Sequence, residues 1–93
     1  MSMSTMAVFL RIDEERVVSA LQDAVTSLDC AAGEAVLDFS SVRRIDSGGL
    51  RALEELLRAA DDKAVKIAFR GVNVDVYKVF KLLKLTQRAS FLH

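Results

Sequence analysis

The segment whose residue types come closest to chemistry is Asp46-Ser47-Gly48-Gly49-Leu50. It follows an alternating run, Val36-Leu37-Asp38-Phe39-Ser40, by way of Ser41-Val42-Arg43-Arg44-Ile45. A strand, a loop and a small polar residue opening a helix place the Ser47 hydroxyl at a helix N-terminus, where unpaired backbone N–H groups and the dipole favour an anion. Gly48 and Gly49 are expected to keep that end open, since no side chain shields the first turn. Two roles compete for Ser47. It binds a phosphate, or carries one as phosphoserine with a charge of about −1.5 to −2; or it is an N-cap worth about 1 kcal/mol. Arg43 and Arg44, just upstream, suit a phosphate or an acidic partner, and equally suit a solvated loop.

Other chemistry is poorly supplied. One Cys and one His do not make the usual Cys/His zinc site, so no metal is expected. A phosphate-binding P-loop needs a longer glycine-rich stretch ending in Lys and Ser/Thr, and none is present. No nucleophile–base pair or carboxylate pair can be read. The chain is therefore expected not to be an enzyme and to need no cofactor, with a nucleotide-binding protein built on the Gly48-Gly49 turn as the less favoured alternative. Cys30 has no redox partner and reads as a structural thiol. His93 has no partner that the sequence identifies.

With 93 residues, 52% hydrophobic and 28% charged, the chain has a globular composition and the length of a single domain, expected over residues 1–93. Its longest apolar run, Met6 to Leu10, is five residues, against about 20 for a membrane-spanning helix. No insertion in a membrane is expected, and the expected location is the cytoplasm. The 13 basic and 13 acidic residues cancel, yet residues 1–40 carry 2 basic against 7 acidic and residues 41–93 carry 11 against 6. Such a split either orients a partner surface or reflects solvated helix faces. It lacks the dense basic stripe of a nucleic-acid binder.

These residues must be positioned by elements of two periods. Met6, Val8, Leu10 and Ile12 alternate with Ala7, Phe9 and Arg11 as a first strand. Asp13 offers an N-cap, and Val17, Val18, Leu21, Val25 and Leu28 follow at helical spacing up to a loop at residues 30–33. Ala35, Leu37 and Phe39 form one face of a second strand, and Leu50, Leu53, Leu56, Leu57 and Ala60 the stripe of a second helix closed by Asp61-Asp62-Lys63. Val65, Ile67 and Phe69 alternate with Lys66, Ala68 and Arg70. Gly71 turns the chain, and Asn73 with Asp75 caps a third helix bearing Val76, Val79, Phe80 and Leu83. Lys78, Lys81 and Lys84 fall on its outward side and read as a solvated face; Tyr77, Phe80 and Phe91 read as core or its margin. Phe91 and Leu92 suggest a last short strand.

The order β-α-β-α-β-α-β argues for a mainly parallel sheet of about four strands, an α/β fold. Parallel strands covered on both faces are apolar nearly throughout, but here Arg11, Asp38, Lys66 and Arg70 occupy the second face beside Phe9, Val36 and Ala68. Right-handed crossovers put every helix on one side only if the strands lie in sequential order. The expectation is thus a right-handed β-α superhelix with helices on one face, and a second face that is partly exposed or used in weak self-association.

The string VLDFSSVRRIDSGGL resembles the signature of the STAS family, which includes bacterial anti-sigma factor antagonists. Asp38 and Ser40 match the end of the family's strand, with Phe39 in place of Leu; Asp46, Ser47, Gly49 and Leu50 match its helix opening, with Gly48 in place of Ser or Ala. The resemblance covers roughly residues 34–93. It implies a protein-interaction module whose Ser47 is the residue phosphorylated by an anti-sigma-factor-like Ser kinase. Asp46, Ser47, Gly48, Gly49, Leu50, Arg51, Arg43 and Arg44 would form the docking surface, with Asp38 and Ser40 as neighbours of the phosphate site. The alternative within the family is a cytoplasmic subunit of an ABC-type phospholipid-transport complex, docking on its ATPase; Thr is frequent at the switch position there, so Ser47 leans toward the antagonist. A monomer or weak dimer is expected. The chain departs from the family in having one strand, not a hairpin, before its first helix, and in placing Lys84 where a helix-terminating Gly is common.

Overall fold

A computed structural model describes residues 8–31 and 33–92. Strand β1 spans Val8–Arg11, and a short 3-10 turn, Glu14–Arg16, leads into helix α1 at Val17–Ser27. After a second 3-10 turn come β2 at Glu34–Asp38, α2 at Ser47–Asp62, β3 at Lys66–Arg70 and α3 at Val74–Leu82. A third 3-10 turn, Leu85–Gln87, precedes β4 at Ser90–Leu92. The strands form one sheet in the order β1-β2-β3-β4, every pair parallel. The sequential order and four-strand α/β plan are those expected from the alternation of the strands.

The register explains the core. Leu10, Leu37, Phe69 and Phe91 stand in one row across the sheet, with Ala35 and Ile67 beside them. All six belong to or pack on one apolar cluster, which also takes Leu21 and Ala24 of α1, Leu53, Leu56, Leu57 and Ala60 of α2, and Val76 and Phe80 of α3. Helices therefore cover this face. Phe39, Phe69 and Phe80 meet edge-on or tilted, with ring centroids 5.2–6.0 Å apart, an arrangement the ring quadrupoles favour. Tyr77 is 40% exposed and sits edge-on to Phe91 at 5.2 Å, at the margin of the core.

The second face joins Phe9, Val36, Ala68 and Ser90 in one row and Arg11, Asp38, Arg70 and Leu92 in the next. None of these belongs to the helix-covered cluster. Phe9 and Leu92 are 66% and 44% exposed, and Arg11, Lys66 and Arg70 are exposed too, so the face is partly open as expected. Val36 and Ala68 correct that expectation in part: both are buried. They lie on the two central strands, where short side chains are flanked on both sides by longer ones.

Other differences are local. Val18 and Leu83, expected in helix stripes, are 39% and 47% exposed, while Ala24 is buried in place of Val18. Leu21, Ala24 and Leu28, three and four residues apart, form the stripe that faces the sheet. Leu83 follows the last residue of α3, and the chain then reverses at Lys84, whose φ is +61°. Leu85, on the next 3-10 turn, fills the core. The expectations for Met6, Ala7, the Cys30 side chain and His93 fall outside the described residues.

Candidate functional site

All strands point the same way, so α1, α2 and α3 begin at one end of the sheet, beyond the strands' carboxyl ends. The loop from Ser40 to Asp46 crosses this end and is held from both sides. The Ser41 hydroxyl donates to the carbonyl of Ile12 (3.1 Å), and the backbone N–H of Arg43 donates to Glu14 Oε1 (2.9 Å). From the other side Asn73 Nδ2 donates to the carbonyls of Val42 (3.3 Å) and Arg43 (3.1 Å). Asn73 Oδ1 meanwhile accepts from the backbone N–H of Val76 (2.8 Å), capping α3. One side chain thus starts a helix and fixes the loop that leads into another. The sequence identified Asn73 as a cap; its spare amide group was the signal for the second role.

At the start of α2 the cap is Asp46, not Ser47. Asp46 Oδ1 accepts from the backbone N–H of Gly49 at 2.8 Å, and its carbonyl accepts from Leu50 N–H at 2.9 Å. Asp46 has extended backbone angles and Ser47 is the first helical residue. A carboxylate already satisfies one of the open N–H groups, and its charge complements the dipole. Ser47 is left exposed, with its hydroxyl not committed to capping.

The two glycines have different duties. Gly48 is exposed, and a Cβ there would sit 3.5 Å from Asp46 Oδ1 and 3.7 Å from Val18 Cγ2, ordinary contacts. Gly49 is buried, and a Cβ there would lie 2.8 Å from Ile45 Cγ1 and 3.3 Å from Val17 Cγ1. Only Gly48 leaves the helix end open; Gly49 lets α1 and the incoming loop close against it. The partly exposed Val18 stands beside Gly48 and extends the surface around Ser47, a neighbour the sequence reading assigned to the core.

Arg43, Arg44 and Arg51 are exposed; Leu50 is half-buried and packs on the core, so it gives the surface only an edge. Arg44, Ile45 and Asp46 line one wall of an open 630 Å³ groove whose other wall is residues 14–19. Asp38 and Ser40 form a separate unit. The backbone N–H of Ser40 donates to Asp38 Oδ1 at 2.9 Å, and among the described residues neither side chain hydrogen-bonds to Asp46 or Ser47. The Ser40 hydroxyl and backbone N–H hold the Asp38 carboxyl below its ordinary range, against the opposing effect of burial and with help from Arg70 and Arg11. Gly71 backs this unit: its φ is +73°, and a Cβ there would meet Ser40 Cβ at 2.8 Å and Cα at 2.9 Å.

Among the described residues no group of three or more His, Cys, Asp or Glu is placed to hold a metal ion, and no helix is long and apolar enough to cross a membrane. The family model described as "Mlab, STAS domain" matches residues 6–92. The chain belongs to the STAS domain family.

Members of this family are generally regulatory modules without catalysis of their own. In sequence the chain is 34% identical over 64 residues to the intermembrane phospholipid transport system binding protein MlaB of Escherichia coli, a match covering 69% of this chain and 60% of that protein. The chain spans less than two thirds of the length of this relative. In structure it is similar to the STAS domain of a SulP transporter from Vibrio cholerae (TM-score 0.78, 16% identity, 99% of this chain and 77% of the other). It is also similar to the unphosphorylated anti-sigma factor antagonist SpoIIAA (TM-score 0.67, 18% identity, 99% and 85%). At these identities the structural likeness establishes the fold.

Proposed function

We propose that this chain is a non-enzymatic docking subunit of an ABC-type phospholipid-transport assembly, acting in the cytoplasm as one STAS-like domain over residues 1–93. The observation that carries this reading is the 34% identity to a phospholipid-transport binding protein, together with the family model that bears its name. The geometry supplies the surface. Ser47, Gly48 and Arg51 at the start of α2, with Asp46 and with Arg43 and Arg44 on the pinned loop, form an exposed edge whose three arginines outnumber its one carboxylate and suit an acidic patch on the transporter's ATPase.

The second reading is an anti-sigma factor antagonist switched by a Ser kinase, and the exposure of Ser47 favours it. As the first residue of α2, Ser47 presents a hydroxyl to solvent that is free to accept a phosphoryl group. The dipole tolerates the added charge, so folding survives modification. The phosphate would stand next to the Asp46 carboxylate, and a partner fitted to a neutral serine would meet two negative groups. Loss of such an interface weakens binding by about 2–5 kcal/mol. An affinity pull-down from the source cells separates the readings: an ABC ATPase supports the first, a Ser kinase with a sigma factor supports the second. In either case Ser47→Asp abolishes capture while Ser47→Ala retains it, both remaining folded. Undiminished capture by Ser47→Asp overturns the docking surface itself.

A further inference from the structure

The carboxyl-terminal half of α3 carries a feature that neither reading uses. Leu82 is 82% exposed, and Lys78, Lys81 and Lys84 surround it. Lys78 and Lys81 lie four and one residues before Leu82, and Lys84 lies two residues after it, where the chain turns left-handed. Leu83 is 47% exposed alongside. The sequence suggests a solvated lysine face; an almost bare leucine at its centre does not belong on one.

Among the described residues the three lysines have no charge compensation. The ion pairs among the described residues are Lys63 with Asp29 and Arg88 with Asp61, so none of the three lysines has an acidic partner within 4.0 Å. The helix dipole accounts for a cation near the last turn, but not for three amines around an apolar side chain. The only acidic residue in α3 is Asp75, three residues before Lys78; it lines the groove shared with Arg43 and Arg44 and makes no ion pair with Lys78 within 4.0 Å.

The residue types select the occupant. Three of the chain's five lysines are in this patch and none of its eight arginines. Specific protein–protein contacts are enriched in arginine and depleted in lysine, because the guanidinium fork pairs with carboxylates and the ammonium is a strongly hydrated point charge. Point charges on flexible stems around an insertable leucine instead suit a diffuse anionic plane. We infer that the Lys78–Lys81–Leu82–Lys84 patch is a peripheral contact for an anionic phospholipid surface, with the amines against the headgroups and Leu82 in the acyl boundary. This contact is separate from the α2 docking surface and stands whichever partner that surface binds.

Sedimentation of the full chain with vesicles tests it, using neutral phosphatidylcholine and phosphatidylcholine with about one third phosphatidylglycerol. Binding is expected on the anionic vesicles, to weaken as salt is raised, and to be slight on neutral ones. A lysine near an anionic surface contributes about fivefold in affinity, so Lys78→Gln, Lys81→Gln and Lys84→Gln together lower binding by about 100-fold. Leu82→Ser, a change at a solvent-exposed site that leaves the circular dichroism spectrum unaltered, lowers it several-fold on its own. Equal binding by wild type and the triple variant, or no preference for anionic vesicles, overturns the inference. Retention by poly-glutamate that depends on the lysines, with no vesicle binding, overturns it in favour of an acidic protein partner.

Discussion

Adjacent glycines with opposite responses to alanine provide a sharp test of how the start of α2 is built. Gly48→Ala adds a methyl group whose nearest neighbours, Asp46 Oδ1 and Val18 Cγ2, are 3.5 and 3.7 Å away. The added side chain meets no obstruction, and replacing glycine in a helix gains about 0.5–1 kcal/mol. Gly49→Ala makes the same gain, but the methyl would lie 2.8 Å from Ile45 Cγ1 and 3.3 Å from Val17 Cγ1. Ile45 and Val17 are β-branched, with stiff χ1 angles and atoms close to the backbone, so the loop or α1 must shift. Overpacking of this kind costs about 1–3 kcal/mol, which leaves Gly49→Ala destabilised by about 1 kcal/mol. The two variants should therefore differ by about 2 kcal/mol. At about 4–8 °C per kcal/mol for a domain of this size, their melting temperatures separate by roughly 8–16 °C, with wild type between them. Thermal and urea unfolding followed by circular dichroism measure this directly. If both variants move the same way by similar amounts, α1 does not close on Gly49 and the described docking surface is wrong in its packing.

Gly71→Ala should destabilise by more than about 1 kcal/mol, because φ is +73° and the new Cβ meets Ser40 backbone and Cβ atoms inside 3.0 Å; urea titration reads the loss. Lys84→Gly relieves a left-handed conformation at φ +61° and should raise stability by about 0.5–1 kcal/mol, seen as a higher melting temperature. The depressed carboxyl of Asp38 gives a pH dependence with a definite sign. Its folded-state value lies below the ordinary value of 3.8, so its contribution is complete above that value and is lost as pH falls through the folded one. Asp38→Asn should flatten the acid limb of stability against pH and leave the neutral region's slope unchanged.

Much of the fold could be read from the sequence because strand alternation carries information about both faces. Lys66 and Arg70 opposite Ile67 and Phe69 excluded helices on a second side, and with right-handed crossovers that left only the sequential order. Val36 and Ala68 were harder, because alternation assigns a residue to a face but says nothing of how its neighbours' side chains lean over it. Val18 and Ala24 are apolar residues on opposite borders of the Leu21–Leu28 stripe, and apolarity alone does not say which border turns to the sheet. At the site, position was readable and division of labour was not. Asp46 and Ser47 are both good caps, and only the 2.8 Å bond from Gly49 N–H decides between them. The restraint of the loop by Asn73 joins residues 30 and 31 positions apart, beyond the reach of any local pattern.

The central claim is that this chain docks a partner through the start of α2, and it is tested most directly by two charge reversals on that one helix. Arg51 and Arg58 are both exposed and seven residues apart, so they share a face about two turns from one another. Isothermal titration of the ATPase subunit of the proposed transport assembly into wild type, Arg51→Glu and Arg58→Glu measures their weight. A salt-bridging arginine at the interface should cost about 2–5 kcal/mol on reversal, a loss of at least 30-fold in affinity for Arg51→Glu, with Arg58→Glu within about threefold of wild type. Equal losses, or a full-affinity Arg51→Glu, would contradict docking through Ser47 and its neighbours.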